Sequence, residues 1–93
     1  MKTPLDFEWD DTKAATNLAK HKVSFPFVTR VFLDPDVTVI PTIRPEDGEN
    51  RYKAVGRIEG KLYVVVFVMV GATCRLISGR RANAKEDRSY DHR

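Results

Sequence analysis

The segment CRLISGRRAN, near the C-terminal end, places two adjacent arginines, Arg80 and Arg81, at the end of a strand pattern. A guanidinium group binds phosphate through paired hydrogen bonds, so these residues could hold an anion. Side chains alternate across a strand, which predicts Arg80 on the face of Leu76 and Ser78 and Arg81 on the other. Gly79 would let a ligand backbone approach closely. The alternative is a solvated strand end that only discourages edge aggregation.

The segment RYKAVGRIE brings further cations onto one face of a second predicted strand. A period of two places Arg51, Lys53 and Arg57 on the same face as Val55. Converging ammonium and guanidinium groups could neutralise phosphate oxygens. The longest apolar run, at residues 62–70, predicts a strand that is apolar on both faces. We therefore expect an apolar sheet floor with a basic rim.

Three side chains could take part in proton transfer. His21 ends a predicted helix, where the imidazole could act in catalysis or only cap the last carbonyls. Tyr90 and Glu86 lie four residues apart on one face of a predicted C-terminal helix, and could approach the basic rim or merely anchor the helix. His92 is next to the chain end, where a frayed surface residue is the simpler interpretation.

Length and composition predict one domain over residues 1–93. Hydrophobic residues make up 42% and charged residues 31% of the chain, which argues against wholesale disorder. A single cysteine, Cys74, excludes an internal disulfide and favours a reducing cytoplasm. The acidic N-terminal segment does not resemble a signal peptide, and no apolar run is long enough for a membrane helix. The net charge of +3 is modest, but basic residues concentrate at the C-terminal end, which suits an anionic partner.

Periodicity divides the chain into elements in the order βααββββα, an α+β domain with helices covering one face of an antiparallel sheet. Turns at Glu59 with Gly60 and at Gly71 with Ala72 predict an antiparallel meander. Residues 43–50 contain Pro, Asp-Gly and Asn, and predict a loop. The segments in chain order are LDFEWD, DTKAATNLAKHK, a helix capped by Ser24 and ending at Asp34, VTVIPTI, RYKAVGRIE, KLYVVVFVMV, TCRLISGRR and a polar helix opened by a capping box of Asn83 and Glu86.

Several motifs that would indicate other chemistry are missing. The sequence has no paired Cys or Cys/His spacing for zinc, no glycine-rich nucleotide loop and no Ser nucleophile motif. Carboxylates do not cluster as metal ligands would. We therefore expect chemistry that needs neither a metal nor a cofactor.

Three segments together resemble the BrnT toxin family, of the RelE/ParE-like superfamily. They are FEWDDTKAATNLAKHKVSF, RYKAVGRIEGKLYVVVFVMVG and LISGRRANAKEDRSY, which follow one another over nearly the whole chain. Two departures are Lys22, where the family often has glycine, and Arg81 beside the motif arginine. The signature positions are Trp9, Asp10, Lys13, Asn17, Lys20, His21, Phe25, Arg51, Tyr52, Gly56, Arg57, Ser78, Arg80, Ala82, Glu86 and Tyr90.

The resemblance implies a RelE-like fold, with two N-terminal helices packed on one face of a twisted antiparallel sheet and a short C-terminal helix. It implies a cytoplasmic endoribonuclease toxin of a type II toxin–antitoxin system that cleaves RNA and blocks translation. The partner would be a BrnA-like ribbon-helix-helix antitoxin, in a complex that dimerises and contacts operator DNA mainly through the antitoxin.

In such a ribonuclease the ribose 2′-hydroxyl is the nucleophile, which requires a base, cations on the phosphorane and an acid for the leaving group. The resemblance implies that Arg51, Arg57 and Arg80 hold the scissile phosphate. His21 or Glu86 would be the base, and Tyr90 an acid or a positioner of the base. The expected contacts to RNA outside the scissile phosphate are Lys22, Lys53, Arg81 and Arg88.

Two other functions are compatible with the residues. The first is a noncatalytic module that binds RNA, DNA or a protein, with Tyr52, Tyr63 and Phe67 as possible base-stacking residues. The second is gyrase poisoning, as in the ParE branch. RNA cleavage separates the ribonuclease from both.

Overall fold

The computed structural model describes residues 6–42 and 51–91, with side chains as far as Tyr90. The loop predicted at residues 43–50 and the terminal His92 lie outside the described residues. The described residues form an α+β fold with a five-stranded sheet, as predicted. The strands are β1 (Asp6–Glu8), β2 (Thr38–Pro41), β3 (Arg51–Ile58), β4 (Lys61–Val70) and β5 (Thr73–Arg81). The helices are α1 (Asp11–His21), α2 (Phe25–Val28), which continues as a 3₁₀ helix (Thr29–Leu33), and α3 (Ala84–Asp91).

The sheet has the strand order β1-β5-β4-β3-β2 and is mixed, so the prediction of a purely antiparallel sheet was wrong. Strands β2 to β5 form antiparallel pairs, but β1 runs parallel to β5, with Phe7 opposite Cys74. A hairpin turn forces its two strands to be antiparallel. No hairpin joins β1 to β5, which is the last strand of the chain, so turn chemistry does not set the direction of β1.

The predicted turns of the meander are confirmed. Glu59 and Gly60 have φ of 50° and 85°, the left-handed pair that a two-residue hairpin requires. Gly71 has φ of 62° at the turn between β4 and β5. Both turns therefore lie where glycine or a short polar residue is favoured, and they place the basic segments of β3 and β5 on either side of the apolar β4.

A β-bulge in β5 changes which residues share a face. Ser78 pairs with Val66, whereas Leu76 pairs with Phe67, so Ile77 is an extra residue in β5. The predicted common face of Leu76 with Ser78 and Arg80 was therefore wrong. Leu76 is buried in the main core, while Ser78 and Arg80 lie on the opposite face.

Helices cover both faces of the sheet, and not one alone as predicted. The helices α1 and α2 pack on one face, where Val28 and Phe25 are buried in the main core. A Cβ added at Gly79 would lie 2.7 Å from Val28 Cγ1, so Gly79 allows the close approach of α2. The prediction that Gly79 makes room for a ligand was therefore wrong. The opposite face has a smaller core of Val55, Leu62, Val64 and Tyr90, through which α3 packs. No helix within the described residues is long and apolar enough to cross a membrane.

Candidate nucleic-acid interface

The sheet face that carries α3 has an ordered arrangement of basic side chains. Arg51 of β3 and Arg75 of β5 both lie opposite Val68 of β4, so they form one row across three strands. Ser78 and Lys53 lie opposite Val66 in the next row. Because a period of two keeps these rows on one face, the cations flank a floor of valines. The predicted apolar floor with a basic rim is confirmed here.

Two clefts open where α1 passes β5. The first, of about 210 Å³, has Arg51, Arg75 and Lys13 in its wall. The second, of about 260 Å³, has Lys20, His21 and Ser78 in its wall. Lys13 and Ile77 line both clefts, so the clefts adjoin at these two residues, and we call the two clefts together the seam groove. The side chains in the seam groove that could bind an anion or transfer a proton include Lys13, Lys20, His21, Arg51, Arg75 and Ser78.

The seam groove has an excess of positive charge. Among the described residues that line the groove, there are four cations, Lys13, Lys20, Arg51 and Arg75, and one carboxylate, that of Asp10. The Asp10 side chain is the N-cap of α1 and accepts a hydrogen bond of 3.0 Å from the Lys13 backbone N–H. Arg75 also pairs with Glu8 of β1, but at 3.9 Å and with both side chains about half exposed. Such an exposed pair is weak and gives way readily to a phosphate.

His21 lies at the C-terminal end of α1, where the sequence left capping and catalysis open. The neighbouring Lys22 carries the capping, because its backbone N–H donates to Leu18 O (2.9 Å) and its Nζ donates to Ala19 O (3.0 Å). Within the described residues the His21 side chain makes no hydrogen bond, and it lines the seam groove beside Ser78. Its imidazole is therefore placed to meet a ligand in the groove.

Glu86 is the centre of a buried ion-pair cluster. Its carboxylate accepts two hydrogen bonds from Arg80 (2.8 and 2.6 Å), one from Lys53 Nζ (3.0 Å) and one from the Asn83 backbone N–H (2.9 Å). Asn83 Oδ1 accepts in return from the Glu86 N–H at 2.9 Å, which confirms the predicted capping box. The capping box therefore begins α3 at a position from which the Glu86 carboxylate reaches both Arg80 and Lys53.

The electrostatics of this cluster argue against Glu86 as a base. Burial alone would raise the pKa of Glu86, but the hydrogen bonds from Arg80, Asn83 and Lys53 outweigh it and lower the pKa from 4.5 to about 2. The hydrogen bond that Arg80 donates to Glu86 outweighs the effect of burial and raises the pKa of Arg80. A carboxylate with four donors and so low a pKa accepts a proton poorly. The arrangement favours Glu86 as the residue that positions Arg80 and Lys53.

Tyr90 fastens α3 to the opposite end of the sheet. Its hydroxyl donates to Asp34 Oδ2 at 2.7 Å, and the same oxygen accepts from the Arg57 backbone N–H at 2.7 Å. The Arg57 guanidinium lies 5.4 Å from the centre of the Tyr90 ring. Burial, followed by the hydrogen bond to Asp34, raises the pKa of Tyr90. These contacts favour the anchoring role for Tyr90 over the role of an acid.

The structure does not bring Arg51, Arg57 and Arg80 to one phosphate. Arg51 and Arg57 are six residues apart on β3, which is about 20 Å of strand. Arg57 is held at the other end by Tyr90 and Gly60. Arg81 lies on the face opposite to Arg80, as alternation predicted, with its guanidinium over the Tyr63 ring. Arg57 and Arg81 therefore lie outside the seam groove.

The remaining predicted contacts lie at the surface. Lys22, which follows His21 in the chain, is exposed, and Arg88 is exposed on α3. Among the alternative stacking residues, Tyr52 stacks on the buried Phe67 and Tyr63 packs edge-on against Phe27, so all of these rings are committed to the main core and its margin. This removes the residues on which the stacking interpretation depended.

Sequence reasoning missed Arg75 as a site residue, and it assigned no role in RNA binding to Lys13 or Lys20. Arg75 is two strands away from Arg51, so their alignment depends on the register of β3, β4 and β5. Lys13 and Lys20 could have been found, because Lys13, Asn17 and His21 recur every four residues along α1 and mark one helix face. Within the described residues no group of three or more His, Cys, Asp or Glu could hold a metal ion.

Comparison with known proteins identifies the family. The search of curated proteins gave no significant match. The profile described as ribonuclease toxin, BrnT, of type II toxin-antitoxin systems matches residues 9–86, which include every residue of the seam groove and the Arg80–Glu86 pair. The chain belongs to the BrnT family of type II toxin–antitoxin ribonuclease toxins, which implies an RNA target and a protein antitoxin.

Proposed function

We propose that this protein is an endoribonuclease that binds single-stranded RNA in the seam groove and cleaves it through the ribose 2′-hydroxyl. The observation that carries the proposal is that Arg51, Arg75 and Lys13 line one cleft and His21 lines the adjoining cleft, in a chain of a ribonuclease family. The cations supply the phosphate affinity and the imidazole supplies proton transfer.

The phosphate would be held at the basic end of the groove. Arg51 and Arg75 approach from two strands and Lys13 from α1, so donors surround a bound phosphate from three elements. Guanidinium groups bind phosphate oxygens in pairs, whereas Lys13 acts as a point charge. Preorganised donors on a developing phosphorane give on the order of 10²–10³-fold each. Charge on rigid elements is therefore the larger part of the proposed catalysis.

His21 is the proposed base. Imidazole can both accept and donate a proton near neutral pH, and general acid–base catalysis contributes about 10²–10⁴-fold. In the proposed step the 2′-oxygen forms a bond to phosphorus as its proton passes to His21. The bond from phosphorus to the 5′-oxygen breaks, and this oxygen takes a proton from solvent. The products are a 2′,3′-cyclic phosphate and a 5′-hydroxyl, and the step balances without a co-reactant.

Arg80 would contact the RNA beside the groove. It lies two residues beyond Ser78 on the same face, and its side chain is 29% exposed although Glu86 binds it twice. A guanidinium that is fixed on one side and open on the other can accept a phosphate without a large loss of side-chain entropy. In this proposal Glu86 is a positioning residue and not the base.

The proposal includes a biological context that goes beyond the family assignment. RNA cleavage of this kind would arrest translation in the cytoplasm, and a BrnA-like ribbon-helix-helix antitoxin would neutralise the toxin. The toxin–antitoxin complex would dimerise and contact operator DNA through the antitoxin. The RelE-like superfamily remains our assignment of fold.

Purified protein incubated with RNA, with and without EDTA, tests the activity. We expect shortened products with cyclic phosphate ends in both conditions, and a rate about 10²–10⁴-fold lower for His21→Ala. RNA affinity should stay close to that of the wild type in this variant, because its four cations remain. Intact RNA with a gel shift would indicate a binding module, and DNA breaks without RNA loss would indicate gyrase poisoning. Either result would overturn the proposal, and loss of cleavage with EDTA would overturn its metal independence.

A further inference from the structure

We infer that a second phosphate subsite lies at the other end of β5 and that the substrate is an RNA strand long enough to reach both sites. This subsite, which we call the far cleft, has a volume of about 230 Å³ and is lined by Arg57, Lys61, Arg81 and Asp87, among others. Among the described residues that line it, there are three cations, Arg57, Lys61 and Arg81, and one carboxylate, that of Asp87. The inference rests on the proposed function, because it assigns the same ligand to both sites.

The cations of the far cleft are held in place by the fold. The Arg57 guanidinium lies 5.4 Å from the centre of the Tyr90 ring and donates to Gly60 O at 3.3 Å. The Arg81 guanidinium lies 5.4 Å from the centre of the Tyr63 ring. Stacking on an aromatic face limits the freedom of a guanidinium while its edge stays available for hydrogen bonds. Two such groups in one cleft are preorganised for an anion.

The far cleft continues the line of the seam groove. Arg75 and Ser78 line the seam groove, Arg80 follows, and Arg81 lines the far cleft, so all four lie in order along β5. Arg75 and Arg81 are six residues apart, which is about 20 Å of strand. An RNA backbone carries its phosphates at intervals along such a path. Because Arg81 lies on the opposite face to Arg80, the RNA strand would pass around the end of β5 to reach it. Two basic clefts at this spacing favour a polyanion with regularly repeated charges, such as RNA, over an acidic peptide.

The experiment uses oligodeoxynucleotides that contain a single ribonucleotide, so that only one bond can be cleaved. The chain is lengthened on the 5′ side or on the 3′ side of this bond, and kcat/KM is measured for each length. For the wild type we expect kcat/KM to rise by about tenfold, equivalent to ~1.4 kcal/mol, once one flank reaches the far cleft. The double variant Lys61→Ala, Arg81→Ala should lose this rise and cleave the shortest substrate at the wild-type rate.

A second readout measures binding alone. Uncleavable 2′-O-methyl oligonucleotides of the same lengths are titrated at several salt concentrations. For the long oligonucleotide, we compare the double variant Lys61→Ala, Arg81→Ala with the wild type. The slope of the logarithm of the binding constant against the logarithm of the salt concentration should be smaller in the variant by about 0.7 for each phosphate contact that is removed. The matched control is Arg30→Ala, Lys85→Ala, which removes the same charge outside both clefts and should keep the wild-type length dependence.

The outcomes separate the two proposals. If no substrate is cleaved, the proposed ribonuclease activity fails, and the binding series still decides on the far cleft. If the double variant keeps the wild-type length dependence and salt slope, the far cleft is not a phosphate subsite. If it keeps both but loses affinity for poly-L-glutamate, the ligand is an acidic peptide, and the inference is overturned.

Discussion

The side chain of Asn17 takes the place of a neighbouring strand at Gly79. Its Oδ1 accepts the Gly79 N–H at 3.0 Å, and its Nδ2 donates to Gly79 O at 2.8 Å and to Val23 O at 2.9 Å. Gly79 lies on β5 beyond the end of β1, which pairs with β5 only from Thr73 to Arg75. One buried amide thus satisfies an open strand edge and holds α1 against it, and the seam groove lies along this contact.

Replacing Asn17 with Ala should destabilise the protein by about 2–3 kcal/mol, because three buried backbone groups lose their partner. The measurement is urea unfolding followed by circular dichroism. Thr16→Ala, at the next and exposed position of α1, is the control and should change the free energy of unfolding by less than about 0.5 kcal/mol. Equal effects of the two substitutions would show that the Asn17 contacts add nothing to stability.

Local chemistry in the sequence predicted much of the fold. Two examples are the turn at Glu59 and Gly60 and the capping box at Asn83 and Glu86. Each involves residues within three positions of one another, so each can be predicted from a short sequence motif. The site was harder to predict. The bulge at Ile77 moved Leu76 to the other face, and this depends on how β5 meets β4.

The charged residues of the site were also hard to predict, because their arrangement depends on contacts between distant parts of the chain. The sequence identified Arg80 and Glu86 but could not show that they pair, because the distance between a strand end and a helix depends on packing. It also placed Arg57 with Arg51, since the period of two fixes the face of a strand but not which part of it a ligand occupies. Arg75 was missed because its neighbour Arg51 is two strands away.

The Glu86 cluster predicts an acid-dependent loss of stability. The pKa of Glu86 is lowered from 4.5 to about 2 in the folded state. A lowered pKa contributes stability that is complete above pH 4.5 and is lost as the pH falls towards 2, on the order of 3 kcal/mol in all. In urea unfolding at pH 7, 4.5 and 3, Glu86→Gln should be less stable than the wild type at pH 7 by about 3 kcal/mol. The difference in the free energy of unfolding between this variant and the wild type should become smaller at pH 3, because Glu86 is increasingly protonated as the pH falls.

The control for this prediction is Glu59→Gln, which removes an exposed ion pair with Arg30. Its effect should stay below about 1 kcal/mol at every pH. A constant difference between Glu86→Gln and the wild type from pH 7 to pH 3 would contradict the assignment of the acid transition to Glu86.

Replacing Lys22 with Gly should stabilise the protein by about 0.5–1 kcal/mol, because Lys22 has φ of 60° in the left-handed region that glycine adopts without a steric penalty. The thermal midpoint is the measurement, with Lys20→Gly in the helix as the control that should lower it. A lower midpoint for Lys22→Gly would show that the side-chain contact with Ala19 outweighs the backbone strain.

Replacing Tyr90 with Phe tests the anchoring role. The variant loses the hydrogen bond to Asp34 and should be destabilised by about 1 kcal/mol, while the ring stays in the smaller core. The pH profile of RNA cleavage should not change, since Tyr90 is not a proton donor in this account. A rate that falls more than about 10²-fold in the folded variant, the range of a lost general acid, would make Tyr90 a catalytic residue.

The single-turnover rate of RNA cleavage decides whether the seam groove holds the phosphate that is cleaved. The double variant Arg51→Ala, Arg75→Ala is compared with the double variant Arg30→Ala, Lys85→Ala, which removes the same charge elsewhere. We expect the rate to fall by about 10²–10³-fold or more for the first variant and to stay near that of the wild type for the second. If both folded variants cleave RNA at the wild-type rate, the seam groove is not the active site.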